Sequence, residues 1–413
     1  MREMKDSGIE WIGQIPKDWD VVPHKRVMHK VKEICVQYNG EDIISLTMNG
    51  VIKRDLTAGG KMPTSFDGYQ YVKPNDLLLC LFDIDVTPRC VGVVKDYGVT
   101  SPAYSRFVMH DGYYNAYYDY LLRAIDDDKV FVHLSKNLRS SLTESDFGAI
   151  KTCVPSLAEQ KRIVTFLDAQ CAEIDAVLEK TRASIEEYKK LKQAVITQAV
   201  TRGIRGDRPM KDSGIEWIGD IPAEWGVVSH KRIMHKVKEI CEQYNGEDII
   251  SLTVNGVVKR DLTAGGKMPT SFDGYQYVEP NDLLLCLFDI DVTPRCVGVV
   301  RDYGVTSPAY SRFVMHDGYY NAYYDYLLRM IDDNKVFVHL SKNLRSSLTE
   351  SDFGAIKTCA PPLAEQKCIA AFLDVRCDEI DALIAKKQQY ITEIENYKKS
   401  LIYEYVTGKK EVV

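Results

Sequence analysis

The sequence predicts an α+β chain made of two equivalent mixed modules, each followed by one long helix. Three observations carry this. The chain repeats itself: MKDSGIEWIG at residues 4–13 returns at 210–219, and the offset of 206 residues holds to the end without insertion. Each copy opens on short apolar runs broken by Gly, Pro and Asn-Gly turn signals. Each copy then closes on a stripe of apolar residues spaced alternately by three and four, sustained for about four heptads. At 413 residues there is room for two modules of about 150 residues and two helical segments.

In the first copy, EDIISLTMNGVIKRDL reads as a hairpin turning at Asn49-Gly50 between β-branched runs. NDLLLCLFDIDV and RCVGVVKDYGVTSPAYSRFVM continue as buried or alternating strands. A helix is expected from about Ala116 to Ile125, where the tyrosines of YYNAYYDY read as packing residues, because a duplex offers few open base faces on which they could stack. TESDFGAIKTCVP ends the module on a short strand.

From Leu157 the period lengthens. Cys171, Ile174, Leu178, Thr181, Ile185, Tyr188, Lys192, Val195 and Ala199 form one seam; Cys377, Ile380, Ile384, Lys387, Ile391, Ile394, Lys398, Leu401 and Tyr405 form the other. A helix of about 40 residues is roughly 60 Å long, more than its own module needs, so the natural burial partner for one seam is the other. Pairing with another subunit is the alternative. Polar seam residues (Thr181 with Lys192, Lys387 with Lys398) would set the register. The expected boundaries are 1–155 and 207–361 for the modules, and 156–206 and 362–413 for the helical regions.

Composition narrows the function. No apolar run approaches the roughly 18 residues of a membrane span and the charged N-terminus is no signal peptide, so a cytoplasmic protein is expected. Ten of the eleven cysteines form five pairs at the repeat offset and no C-x-x-C occurs, which reads as buried structural thiols with no metal site. The eight histidines fall as four repeat pairs without metal or triad spacing. The only Pro-Pro, at Pro361-Pro362, lacks the flanking residues of an amino-methyltransferase loop. Gly60-Lys61 lacks the first Gly and the Ser or Thr of a phosphate-binding loop. No catalytic residue, cofactor site or metal site is therefore assigned.

The net charge of −6 is a weak argument against nucleic acid, because contact depends on one face. Basic clusters recur in both copies: HKRVMHKVK at 24–32, Lys53-Arg54, and KVFVHLSKNLRSS at 129–141. Each alone reads as a solvated face; together they make a basic groove.

Four strings carry a family resemblance. MKDSGIEWIGQIPKDW, GVTSPAYSRF, VPSLAEQKRIVTFLDAQCAEID and YKKSLIYEYVTGK, in this order, resemble the specificity subunit of type I restriction-modification systems. The resemblance implies two pseudo-two-fold-related mixed α/β target recognition domains joined by two long antiparallel coiled-coil helices. It implies a non-catalytic reader of a bipartite, gapped double-stranded DNA site. Two methyltransferase subunits and endonuclease/translocase subunits would be its partners, bringing S-adenosylmethionine, ATP and magnesium with them, while this chain holds no cofactor. A stand-alone methyltransferase or nuclease, and a coiled-coil scaffold that binds only proteins, are the rival readings.

Family members of this kind carry two different recognition domains, whereas here the copies differ at only about a dozen positions between Lys5 and Cys153. Identical readers related by a two-fold axis predict an inverted-repeat target. A recent copying event would leave the same identity without selection for symmetry. Candidate DNA contacts, chosen as cations, amides and hydroxyls, are Lys53, Arg54, Lys61, Arg89, Arg106, Lys136, Asn137, Arg139 and Ser140. Their counterparts are Lys259, Arg260, Lys267, Arg295, Arg312, Lys342, Asn343, Arg345 and Ser346.

Overall fold

A computed structural model describes residues 2–412 except 49, 58–62, 88, 136–139, 264–268, 294 and 342–345. The helices are α1 (Asn115–Asp127), α2 (Val130–Leu134), α3 (Glu144–Ala149) and α4 (Leu157–Arg202), then α5 (Asn321–Asp333), α6 (Val336–Leu340), α7 (Glu350–Ala355) and α8 (Leu363–Val406). The expected helix at 116–125 is α1. The closing strand is Lys151–Val154, and it pairs with Asp20–Pro23. The periodicity argument missed α2 and α3, which at five and six residues are too short to show a helical period. The signal for α3 was capping: the Thr143 hydroxyl accepts from the Asp146 N–H while the Asp146 side chain returns to the Thr143 N–H.

The chain divides into two compact units, the first of them made of two segments and the second of one. One comprises Met1–Arg182 with Gln389–Val413; the other is Ala183–Gln388. Each thus owns one mixed module, one half of α4 and one half of α8.

In the first unit an antiparallel sheet runs in the order Met28–Val31, Ser105–Met109, Leu77–Leu79, Val91–Val93. Leu77 and Leu79 face the main core with Phe107, Tyr117, Tyr118, Leu121 and Ile125, whereas Leu78 faces a smaller core with Ile44, Val51 and Val94. Strand alternation thereby explains why all three consecutive leucines are fully buried. The smaller core lies under the hairpin of Ile44–Thr47 and Gly50–Lys53, closed by the Thr47–Gly50 pair. Asn49 lies outside the described residues, but its counterpart Asn255 sits in the turn before Gly256, whose φ of 97° needs glycine. The hairpin approaches the sheet so closely that a Cβ on Gly92 would lie 2.8 Å from Val51 Cγ2. The second unit repeats this arrangement, with a parallel pair joining Ile249-Ile250 to Val305-Thr306.

The tyrosines of YYNAYYDY are packing residues: Tyr117 and Tyr118 are fully buried and meet edge to face at 5.1 Å. Of the eleven cysteines all but Cys368 are buried. None of the described helices is long and apolar enough to cross a membrane.

The long helices have 46 and 44 residues, and every seam position read from the sequence is buried or half-buried. In the first unit Phe166 meets Tyr405, Asp175 pairs with Lys398 at 2.6 Å and Arg182 with Glu395 at 2.6 Å. As one index rises the other falls, so the two helices pack antiparallel. In the second unit Lys192 pairs with Asp381 at 2.6 Å and Lys387 lies over the Tyr188 ring. Lys192 with Asp381 and Lys398 with Asp175 are one contact with the helices' roles exchanged, each position displaced by the repeat offset. Thr181, expected to help set register, instead bonds back to the Val177 carbonyl of its own helix.

Both ends of each helix are tied to a module. Near the α4 start, Glu159 accepts from the Trp19 indole at 3.0 Å and pairs with Arg2, which stacks over the same indole. Gln160 accepts from the Tyr114 N–H, capping the start of α1, and donates to the Pro155 carbonyl. Glu365, Gln366, Trp225, Arg208 and Tyr320 repeat the cluster. At the far end, the Tyr323 hydroxyl donates to Val200 of α4 at 2.8 Å, and Tyr117 to Val406 of α8 at 2.7 Å. α8 gains two further bonds that α4 lacks the residues to make: the Tyr403 hydroxyl to the Trp11 carbonyl and Lys409 Nζ to the Ile12 carbonyl. Its final glycine, Gly408, has φ 71° and so little room that a Cβ would meet Pro16 and Trp19 within 3 Å.

The basic string at 24–32 is only partly a surface. His24 is fully buried against Phe147, with ring centroids 4.7 Å apart, and burial pushes its imidazole down to about 4; His230 is pushed down to about 3. The unfolded chain binds these protons near pH 6.5 and the folded chain does not, so stability is complete above that pH and falls as pH drops toward 4. Each histidine contributes a slope of about 1.4 kcal/mol per pH unit in that window. Replacing both by leucine should flatten the pH dependence of chemical denaturation between pH 6.5 and 4 by nearly two protons, and an unchanged slope would refute the assignment. Tyr117→Phe should cost about 1 kcal/mol and speed amide exchange in the last turn of α8. Tyr323→Phe should loosen α4 less, because α4 continues covalently into the second module; exchange by mass spectrometry checks both.

Candidate nucleic-acid interface

Three segments of the first module meet along one rim. The tip of the hairpin at Met48 accepts from Arg89 Nε at 3.0 Å. The turn that precedes Arg89 is bonded on its other side, Ile84 N–H to the Ser140 carbonyl at 3.0 Å, and Leu142 N–H reaches the Leu81 carbonyl. The rim thus runs from residue 48 through 82–87 and Arg89 to 140–142. The second module repeats it, with Arg295 on the Val254 carbonyl at 2.9 Å and Ile290 on Ser346 at 3.0 Å.

The rim is held from beneath. Asp126 projects from α1 and accepts from the Cys90 N–H at 2.7 Å, fixing the residue that follows Arg89; Asp332 does the same for Cys296. The turn is locked by Val86 and Thr87 N–H groups on the Asp83 carbonyl, which also accepts from the Thr87 hydroxyl. Asp83 (φ 46°) and Ser140 (φ 43°), on either side of the Ile84–Ser140 bond, both adopt the left-handed conformation that β-carbon sterics disfavour, as do Asp289 and Ser346. Paired backbone strain of this kind persists only where surrounding structure fixes it, and it concentrates at binding sites.

The sequence-derived candidates divide into four groups. Arg89, Ser140, Arg295 and Ser346 lie on the rim. Lys61, Lys136, Asn137, Arg139, Lys267, Lys342, Asn343 and Arg345 lie outside the described residues. Lys53 and Lys259 are half-exposed at the base of the hairpin, but each is paired with carboxylates: Lys53 with Asp42 at 2.8 Å and Asp96 at 3.8 Å, Lys259 with Asp248 and Asp302. These carboxylates raise both ammonium pKa values. Arg54 and Arg260 follow them as exposed residues.

Arg106 and Arg312 require a correction. Their side chains are 5% exposed and form ion pairs with Asp76 and Asp282, each at 2.6 Å, and donate hydrogen bonds to the Tyr71 and Tyr277 carbonyls. They lie in the strand Ser105–Met109 and its repeat Ser311–Met315, where they satisfy buried groups rather than face a ligand. Sequence alone could not separate a buried arginine from a presented one, although GVTSPAYSRF being part of the family resemblance was compatible with a structural role.

Sequence reasoning also passed over the rim's exposed apolar residues. Val86 and Val292 are each 74% exposed, and Met48 is 59% exposed. For Val86 the signal was present in FDIDVTPR, an apolar residue directly after the second of two aspartates in a turn.

No family model matches the chain. A protein assigned as the type I restriction enzyme MjaX specificity subunit of Methanocaldococcus jannaschii is 23% identical, over 97% of this chain and 96% of the relative. The MjaVIII specificity subunit of the same organism is 25% identical over 64% of this chain and 63% of its own length. Among solved structures, a chain from work on complex assembly and conformational transition of the type I R-M system superposes with a TM-score of 0.72 at 15% identity, covering 96% of this chain and 99% of that one. The HsdS subunit from Thermoanaerobacter tengcongensis gives 0.50 at 15% identity, covering 96% and 98%. In sequence along nearly its whole length, and in fold, the chain is similar to specificity subunits of type I restriction-modification systems.

Proposed function

We propose that this chain is the DNA-reading subunit of a type I restriction-modification complex, each mixed module gripping one half of a bipartite, gapped target. It is a non-catalytic, cytoplasmic component. Two methyltransferase subunits and the endonuclease/translocase subunits dock on it and supply S-adenosylmethionine, ATP and magnesium chemistry, while the chain itself carries no cofactor.

The observation that carries this reading is the recurrence of one pinned, strained rim in two nearly identical modules. Equal surfaces address equal sequences. The helix contacts of one unit recur in the other with α4 and α8 exchanged, the pattern of a self-complementary pairing, which supports use of the two modules on opposite DNA strands. The target is therefore an inverted repeat with a central gap. Sites on one face of B-DNA lie about 10 to 10.5 base pairs apart, so half-sites of a few base pairs leave a gap of a handful.

Long-read sequencing of host DNA for methylated adenine should yield a motif with two complementary halves; two unlike halves would refute the symmetric target. The isolated chain should not transfer labelled methyl groups to DNA, which separates this reading from a stand-alone methyltransferase. Retention of duplex DNA by the assembled complex, lost when the modules' rim residues are changed, separates it from a protein-only scaffold.

A further inference from the structure

The turn at 82–87 presents two residues that the phosphate backbone cannot explain. Val86 is 74% exposed and Asp85 is exposed beside it, and among the described residues neither ion pair nor hydrogen bond engages the Asp85 carboxylate. A carboxylate is repelled by phosphate, and an isopropyl group gains nothing from it. Both have partners on base edges in the major groove: a carboxylate accepts from the cytosine amino group and an apolar side chain contacts the thymine methyl.

The turn is also unusually fixed for an exposed apolar apex. Beneath Val86, Ile84 is fully buried, the Thr87 hydroxyl and two N–H groups close on Asp83, and the flanking residues are tied to Ser140, Met48 and Asp126. A side chain locked in place before binding adds little ordering cost on contact. The same turn recurs with Asp291 and Val292, the latter also 74% exposed, so the chain holds this feature twice.

We infer that the turns at 82–87 and 288–293 are direct base readers, Val86 and Val292 each seating a thymine C5-methyl group and Asp85 and Asp291 each accepting from a neighbouring cytosine amino group. This rests on the DNA-reading function proposed above and adds to it a base chemistry and the residues responsible. Arg89 and Arg295, anchored by Nε to the hairpin tip, are then the cations that hold the turn against the groove.

The test uses the chain assembled with its methyltransferase and a duplex carrying the methylated motif, with deoxyuridine replacing thymidine one position at a time. Uracil removes only the methyl group and keeps the pairing. At one position in each half-site the substitution should weaken binding about fourfold, the value of one buried methyl. The Val86→Ser, Val292→Ser variant should bind thymine and uracil duplexes alike, and the Asp85→Asn, Asp291→Asn variant should methylate sites degenerate at one cytosine per half. Both sites are exposed, so folding and assembly should be unchanged. The inference is overturned by a wild-type complex indifferent to uracil everywhere, by a serine variant that keeps the sensitivity, or by an asparagine variant whose methylated motif keeps its cytosines. It is equally overturned if the variants lose the methyltransferase while methyl sensitivity persists, which would make the turn a protein contact. A wild-type complex that retains no duplex at all is a different result: it removes the reader function itself.

Discussion

The structure depends on how each long helix is launched. A long helix can leave its module in one direction only if its first turn is fixed there, and a single glutamate-glutamine pair provides this. Glu159 is enclosed by the Trp19 indole and Arg2, so its buried charge is neutralised and hydrogen-bonded. Its neighbour Gln160 uses one amide to satisfy the Tyr114 N–H at the head of α1 and the end of the closing strand at Pro155. One turn of helix therefore reads the N-terminal segment, the module's own helix and its last strand at once. These residues carry much of the family resemblance in the sequence, and what they do is mechanical.

The far ends share a tyrosine and a cysteine on one helix carbonyl, at Val200 and at Val406, but α8 is held by more because its covalent situation differs. After α4 the chain runs on into the second module, so a tyrosine hydroxyl on Val200 and a cysteine thiol on the same carbonyl are enough to seat the helix. The end of α8 packs on the first module, which lies upstream in the chain, so the helix does not continue into the module it holds. Tyr403 and Lys409 take the place of a covalent link, where the equivalent residues of α4 are Thr197 and Gly203. The divergence of the helical regions, against near-identity of the modules, follows from this unequal task as well as from history.

How far the sequence disclosed this can be judged residue by residue. The repeat, the hairpin, α1 and the seam were legible because each is written as a period or a turn signal that local chemistry enforces. The role of Glu159 and Gln160 was not, since their partners lie up to 157 residues away. Nor was the burial of Arg106, because the same side chain serves a phosphate or an inward carboxylate and only the strand's facing decides. His24 misled in the same way: within HKRVMHKVK it reads as one more surface cation, yet it fills the core against Phe147. The rim was half legible. Arg89 was chosen as a cation, while Val86 was missed because a search for phosphate and guanine ligands looks past apolar residues.

The seam itself resolves what keeps the antiparallel pairing in one register. Its apolar positions would tolerate a slip of one heptad, about 10 Å along the helix, with little loss of buried area. The charged positions resist it in one direction far more than in the other. Lys192 and Lys398 lie at half-buried seam sites, and each meets an aspartate across the pair at 2.6 Å. Slipped by a heptad in one direction, the two ammonium groups would face Gln388 and Arg182, an unpaired charge in a partly dry seam, twice over; slipped in the other they would meet Asp374 and Asp168, carboxylates that already accept from the Tyr326 and Tyr120 hydroxyls. Such pairs contribute little to stability where solvent reaches them. Their effect is on the alternatives: they penalise a slip toward Gln388 and Arg182 outright, and leave the opposite slip to the tyrosines that already hold Asp374 and Asp168 in place.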